Sequence, residues 1–247
     1  MKDIDAIAVL QDPVRRRLYE YVVAQGREVG RNEAAEAAGV ARTLAAHHLD
    51  RLTGAGLLES GSRRLTGRTG PGAGRPAKVY TRARTEHAVS LPGRDYRTAA
   101  ELLAEAAEQA GLDATLNAAA RRRGEALRGA DEPCAGLEEA MAVLAARGYE
   151  PHLEAAEAVE AVEAVEVGDG AADVRGSGGG PDEAAAVVRM RNCPFHAVAE
   201  RFPPLVCGMN LALLEGLLGA GGPVRARMDP RPGECCVVVE ASKNNLR

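Results

Sequence analysis

Between Arg31 and Glu59 the chain reads RNEAAEAAGVARTLAAHHLDRLTGAGLLE. Arg31 to Ala38 predicts a short helix, with Ala34, Ala35 and Ala38 small enough to admit a close helical neighbour. Gly39 permits the positive φ of a tight turn. Ala41 to Gly54 predicts a second helix, because Ala45, Leu49 and Leu52 recur at i, i+4, i+7 on one face, with Val40 just ahead. Its other face shows Arg42, Thr43, Ala46, His47 and Arg51, a small, polar and cationic surface. Such a helix buries one side in a small domain and leaves the other free for a DNA major groove.

Downstream, Leu57-Leu58-Glu59 begins a strand and Ala77 to Thr81 returns it. Gly61 to Pro76, between them, holds five glycines, two prolines and four arginines and no acidic residue. A hairpin of this composition predicts a basic wing, with Arg63, Arg64, Arg68, Arg75 and Lys78 directed at phosphates or a minor groove. Upstream, Asp12-Pro13 predicts a helix start, with Asp12 as N-cap, and Gly26 its end. Val14, Leu18, Tyr19, Val22 and Val23 form the apolar face between. His47 and His48 are neighbours on a helix and do not share a face, which disfavours a joint metal site; His47 is expected at base edges and His48 at the phosphate edge or helix boundary.

Four segments carry a family likeness: Asp12-Pro13-Val14-Arg15-Arg16-Arg17, Ala46-His47-His48-Leu49-Asp50-Arg51-Leu52, Gly56-Leu57-Leu58, and Gly74-Arg75-Pro76-Ala77-Lys78-Val79-Tyr80. Together they resemble the ArsR-like winged-helix repressors, and within these the subgroup containing the repressor of the Suf iron–sulfur assembly operon. The resemblance covers roughly residues 5–84. It implies a repressor that binds a double-stranded DNA operator as a homodimer.

Composition agrees with two parts. Residues 1–84 hold 15 Lys and Arg against 9 Asp and Glu, whereas residues 85–247 hold 16 against 26. A basic front and an acidic back suit a nucleic-acid reader joined to a regulatory part. Hydrophobic residues make up 46% of the chain but aromatics only 3%, so its cores are expected to be Ala, Val and Leu. No run has the length of a membrane helix, and no apolar run follows the first residues as in a signal peptide, so a cytoplasmic, nucleoid-associated protein with reduced thiols is expected, with no membrane partner.

After a break at Leu91-Pro92-Gly93, Tyr96 to Ala110 predicts a helix with Ala99, Leu102, Leu103 and Ala106 on one side, and Leu112 to Leu127 a second. In a winged-helix repressor such a helix makes the dimer. Gly136 to Arg147 predicts a further helix and Gly148 to Leu153 a strand. The Ala158-Val159-Glu160 triplet, repeated three times, and the glycine run ending at Gly180 mark a low-complexity insertion over residues 155–181.

Four of the five cysteines then crowd into the last quarter. Cys193 follows a strand, Cys207 opens a helix after Pro203-Pro204, and Cys235-Cys236 begin a final strand; Cys134 stands apart and is read as structural. Thiols near helix N-termini favour the thiolate. Adjacent strand residues point to opposite faces, so only one of Cys235 and Cys236 is expected to join Cys193 and Cys207. His196 is the candidate fourth ligand. Thiolates with a histidine suit zinc, and three thiolates with an open position suit an iron–sulfur cluster, whether [4Fe–4S] or [2Fe–2S]. The spacing is similar to that of the Suf repressor subgroup, in which three cysteines hold a cluster, and on that likeness Cys235 matches the third position.

The expected fold is therefore α+β: an N-terminal winged helix-turn-helix domain over residues 1–84, a linker and dimerisation helices over 85–130, and a C-terminal α/β sensory domain over 131–247. The expected function is transcriptional regulation by a non-enzyme, with a zinc site or a small-organic-ligand pocket as the alternative to a cluster. An enzyme using Cys193 or Cys207 with His196 as base is disfavoured, since no orienting Asp or Asn is evident nearby in sequence.

Overall fold

The structure is a computed structural model that describes residues 2–63, 76–155 and 186–242. The chain is mixed α+β and divides into two compact units, Met1–Arg94 and Asp95–Arg247.

The first unit begins with helix α1 (Lys2–Ala8) and a single 3-10 turn, followed by α2 (Pro13–Gln25). Asp12 caps α2 by accepting the N–H of Val14 and of Arg15, each at 2.9 Å. Gly26 closes it in the left-handed conformation, with φ of 59°. A short strand β1 (Val29–Gly30) leads into α3 (Arg31–Ala38), and α4 (Arg42–Gly54) follows. Between them Gly39 adopts φ of 65° and returns its N–H to the last turn of α3, which is why the chain reverses there. Strands β2 (Leu58–Arg63) and β3 (Ala77–Arg82) form an antiparallel hairpin, in register from Leu58 opposite Arg82 to Arg63 opposite Ala77. With β1 on the far side of β3 they make a sheet of order β1-β3-β2. Leu18, Val22, Leu49, Leu52, Leu58 and Tyr80 fill the core between helices and sheet. The tip of the hairpin, with Arg64, Arg68 and Arg75, lies outside the described residues.

The second unit carries α5 (Tyr96–Gln109), α6 (Asp113–Arg128), α7 (Leu137–Ala145), β4 (Pro151–Ala155), β5 (Ala186–Met190), α8 (His196–Ala199), α9 (Pro203–Leu218), β6 (Val224–Met228) and β7 (Val237–Ala241). Its strands form one antiparallel sheet, β4-β5-β7-β6. One face packs Val188, Met190, Val237 and Val239 against Leu144 of α7 and Leu214 of α9. The alternate residues lie on the other face, where Arg189, 2% exposed, pairs with Glu154 at 2.6 Å and with Asp229. Nearby, Arg225 and Arg227 both bind Glu240. The low-complexity insertion, from residue 156 onward, lies outside the described residues.

Helices α6 and α9 cross at very close range. A Cβ at Gly216 would stand 2.2 Å from the Arg121 carbonyl oxygen, and one at Gly124 would stand 2.1 Å from that of Leu213. The two glycines therefore let the backbones touch.

Helix α5 shows the opposite behaviour. Its inner side is Ala104, packed with Phe202, Leu205 and Val206 at the start of α9. The apolar side expected from sequence faces outward: Leu102 is 62% exposed, Leu103 73% and Tyr96 74%. Tyr96, Ala99, Leu103, Ala106 and Ala110 repeat at alternating three- and four-residue steps, the spacing of a coiled-coil seam.

Candidate nucleic-acid interface and thiol cluster

Helix α4 sorts its residues by angle. Ala45, His48, Leu49 and Leu52 are buried, while Arg42, Thr43, His47 and Arg51 are exposed and Ala46 is half-buried. His48 corrects the expectation that placed it at the phosphate edge: it is turned into the unit and only 8% exposed. The periodicity of the seam dictates this, since position 48 lies three residues after Ala45 and four before Leu52.

Burial holds the His48 imidazole below its ordinary 6.5; Asp12 opposes that shift, and Arg15 and His47 add to it. Among the described residues its Nδ1 has no hydrogen-bond partner. Below pH 6.5 the unfolded chain therefore takes up the His48 proton before the folded protein does. The sign follows: this contribution to stability is complete above that pH and is lost as the pH falls through it. Urea unfolding at about pH 7.5 and about pH 5.5 is expected to show a larger loss for the natural chain than for His48→Leu. An identical loss in both would remove the assignment.

One acidic residue, Asp50, sits on the outer side of α4 among the cations. It accepts hydrogen bonds from Tyr80 Oη and Lys78 Nζ, each at 2.7 Å, and from Arg31 Nη2 at 3.3 Å. Partial burial raises the cost of its charge, but these donors and the charges of Lys78 and Arg31 outweigh it and hold the carboxyl below its usual range. Burial and the bond to Asp50 push the Tyr80 phenol up to about 12, against the pull of Arg31, which donates to the phenol oxygen at 2.9 Å. Lys78, opposite Ser62 near the outer end of the described hairpin, is thus anchored, and Arg63 is paired with Glu28 at 2.8 Å. A groove of about 830 Å³ runs beside this network, lined by Arg27, Arg31, Arg42, Ser60 and Lys78 among others. Arg31, Asp50 and Tyr80 were not singled out as site residues from sequence. The signal for them is tertiary, because the three come from α3, α4 and β3.

In the second unit the thiols meet. The half-buried Cys193 follows β5, the buried Cys207 lies in the second turn of α9, and Cys235 and Cys236 immediately precede β7. The Cys193 sulfur lies close enough to that of Cys235, and the Cys207 sulfur to that of Cys236, for each pair to interact electrostatically. Both neighbours of the 235–236 pair therefore take part, where strand alternation predicted one. The reason is local: β7 begins only at Val237, so the two cysteines lie ahead of the regular strand.

The neighbouring Cys193 draws the Cys235 thiol down to about 7 despite its burial, helped by the N–H groups of Val237 and Cys236 and by the Asn210 amide. Asn210 Nδ2 stands 3.4 Å from the Cys235 sulfur. Cys193 is pushed up by that same pairing and by burial, and the Phe195 N–H opposes this. Burial first, then the neighbouring Cys236, pushes Cys207 up to about 12; its place in the second turn of α9 does not give the helix-terminal lowering expected from sequence.

Backbone N–H groups near two of the sulfurs, that of Phe195 at Cys193 and that of Val237 at Cys235, favour the ionised thiol. N–H donors of this kind stabilise thiolate ligands, so the donor set fits a thiophilic metal or cluster. Among the described residues, no three His, Cys, Asp or Glu side chains stand as a ready-made metal group; the sulfurs are arranged as two interacting pairs. His196, expected as a fourth ligand, is instead exposed and paired with Glu200 at 3.1 Å. The i, i+4 relation of those two residues on one helical turn accounts for the pairing. Cys134 is a buried core residue. No helix among the described residues is long and apolar enough to cross a membrane. No protein-family model, curated protein or solved structure matches this chain.

Proposed function

We propose that the chain is a DNA-binding transcriptional regulator, a homodimeric winged-helix repressor whose operator binding is governed by an iron–sulfur cluster on Cys193, Cys207 and Cys235. The observation that carries the DNA-binding half is the sorting of α4, which turns Arg42, Thr43, His47 and Arg51 outward over a packed inner seam. Arg42, Thr43, Ala46 and His47 face base edges, and Arg51 with the hairpin cations holds phosphates. Asp50 repels phosphate little, because three donors already occupy it.

The sensing half is supported by the meeting of the thiols from three parts of the chain. A cluster bound there supplies a charge and ligation state that changes with oxidant or iron supply. The protein's own residues offer a path for that change. Cys207 follows Leu205 and Val206, which pack on Ala104 of α5. The outer side of the same helix carries the apolar seam proposed to form the dimer. A shift of α9 at Cys207 therefore bears on the helix that sets the spacing of two reading heads, which must match half-sites about one DNA turn apart. Zinc is the second reading, favoured by the thiol donor set.

Anaerobic purification with metal and sulfide analysis, followed by binding to selected duplex DNA, tests the proposal. A brown sample with a broad band near about 400 nm and acid-labile sulfide is expected, whereas a colourless sample with zinc selects the second reading. Binding should weaken steeply with salt, and Arg51→Ala should reduce the logarithmic salt slope by about two, one for each protomer of the dimer. Salt-independent binding, or none to any duplex, overturns the regulator.

A further inference from the structure

We infer that Asn210, oriented by Tyr149, is a positioning residue for the Cys235 sulfur that presents an N–H rather than a carbonyl to it. The inference rests on the proposed metal-binding role of Cys235 and adds residues that neither the sequence pattern nor the thiols themselves mark out.

Asn210 lies in α9, a helix whose other buried residues are almost all apolar, and is 2% exposed. A buried amide is costly unless both its ends find partners. Here each end has one. Tyr149, 4% exposed, donates its hydroxyl to Asn210 Oδ1 at 2.5 Å, and Asn210 Nδ2 donates to Cys235 Sγ at 3.4 Å. The chain of donors runs in one direction, from phenol to amide to sulfur. Rotating the amide by half a turn would place its carbonyl oxygen against the sulfur and lose the Tyr149 donation to that oxygen. Against an ionised sulfur only this orientation satisfies both ends, because the turned amide, although its N–H could donate to the Tyr149 oxygen, would set its carbonyl against a negative charge. Leucine at position 210 would pack in this helix without the polar cost, so the amide is explained by the sulfur it serves.

An N–H donor on a ligating thiolate withdraws charge from it, which strengthens retention of the bound group and raises the potential of a redox centre. The test uses the full chain, anaerobically reconstituted with ferrous iron and sulfide, and in parallel titrated with Co(II). Asn210→Asp keeps the Tyr149 bond but replaces the N–H by a carboxylate oxygen. It is expected to weaken retention against a chelator about ten- to a hundredfold and to lower the midpoint potential. Tyr149→Phe, which leaves the amide free to rotate, is expected to move both readouts the same way by less. It also keeps the inference testable if Asn210→Asp fails to fold. Asn210→Gln, which retains a donor, should recover part of the potential; a purely structural role would lower the melting temperature and leave the potential unmoved.

Natural retention and potential in both Asn210→Asp and Tyr149→Phe overturn the inference while the metal-binding role stands. Uptake of Co(II) without iron and sulfide overturns the cluster, and the inference is then read from the Co(II) affinities and the sulfur-to-cobalt absorption. A natural chain that takes up neither overturns both.

Discussion

Gly216→Ala is expected to cost about 3 kcal/mol, or to leave the second unit unfolded at ambient temperature. The new methyl carbon would lie 2.2 Å from the Arg121 carbonyl oxygen, 3.0 Å from the Glu125 nitrogen and 3.1 Å from the Arg121 carbonyl carbon. All three are backbone atoms of α6, so no side chain can swing aside. Relief requires the two helices to part, and parting them opens voids along their whole contact. Gly124→Ala is equivalent from the other side, meeting the Leu213 oxygen at 2.1 Å and the Leu217 nitrogen at 2.7 Å. Gly54→Ala in α4, where a Cβ meets nothing within 4 Å, is the control and should be neutral or stabilising by about 0.5–1 kcal/mol. Urea unfolding followed by circular dichroism reads all three, and a Gly216→Ala chain as stable as the natural one would refute the close crossing.

Leu103→Glu is the second large effect, and it acts through assembly. Leu103 is 73% exposed at the middle of the outer seam of α5, with Ala99 and Ala106 a turn away on either side. A second copy of the helix laid along that seam buries the leucine in a hole between four residues of its partner. A carboxylate there must be desolvated against an apolar surface, or against the same charge on the other copy. The proposed dimer is expected to dissociate in sedimentation while circular dichroism stays unchanged, since none of the described residues packs on the outer face of this one. Binding to DNA with two half-sites should fall by about a hundredfold or more, and binding to a single half-site should stay nearly constant. A monomeric natural chain, or a dimeric Leu103→Glu chain, would refute the seam.

Local signals account for what the sequence made legible. Asp12 with Pro13, and Gly26 and Gly39 with their positive φ, act within a few residues, and each stands at the helix end it predicts. The seam of α4 was legible for the same reason, and applied one residue further it also gives the buried side to His48. Legibility stops where the partner is distant in the chain. Asp50 draws its donors from residues 31, 78 and 80, and nothing near position 50 signals that. Cys235 and Cys236 were separated by a strand rule that holds only from Val237 onward. Gly124 and Gly216 resemble ordinary weak points in helices until the crossing brings them together. For α5 the apolar stripe was visible, and the finding added by the structure is that the described residues leave the stripe uncovered.

Arg189 carries a consequence for how the sheet is held in alignment. Its guanidinium is gripped on the outer face by carboxylates from β4 and from the residue just after β6. Sliding β5 by a single residue would drive that cation into the oily layer beneath and bring Val188 out in its place. The sheet thus has one threading that it can tolerate and no neighbouring one to drift into, so this buried cation works as a pin through the weave.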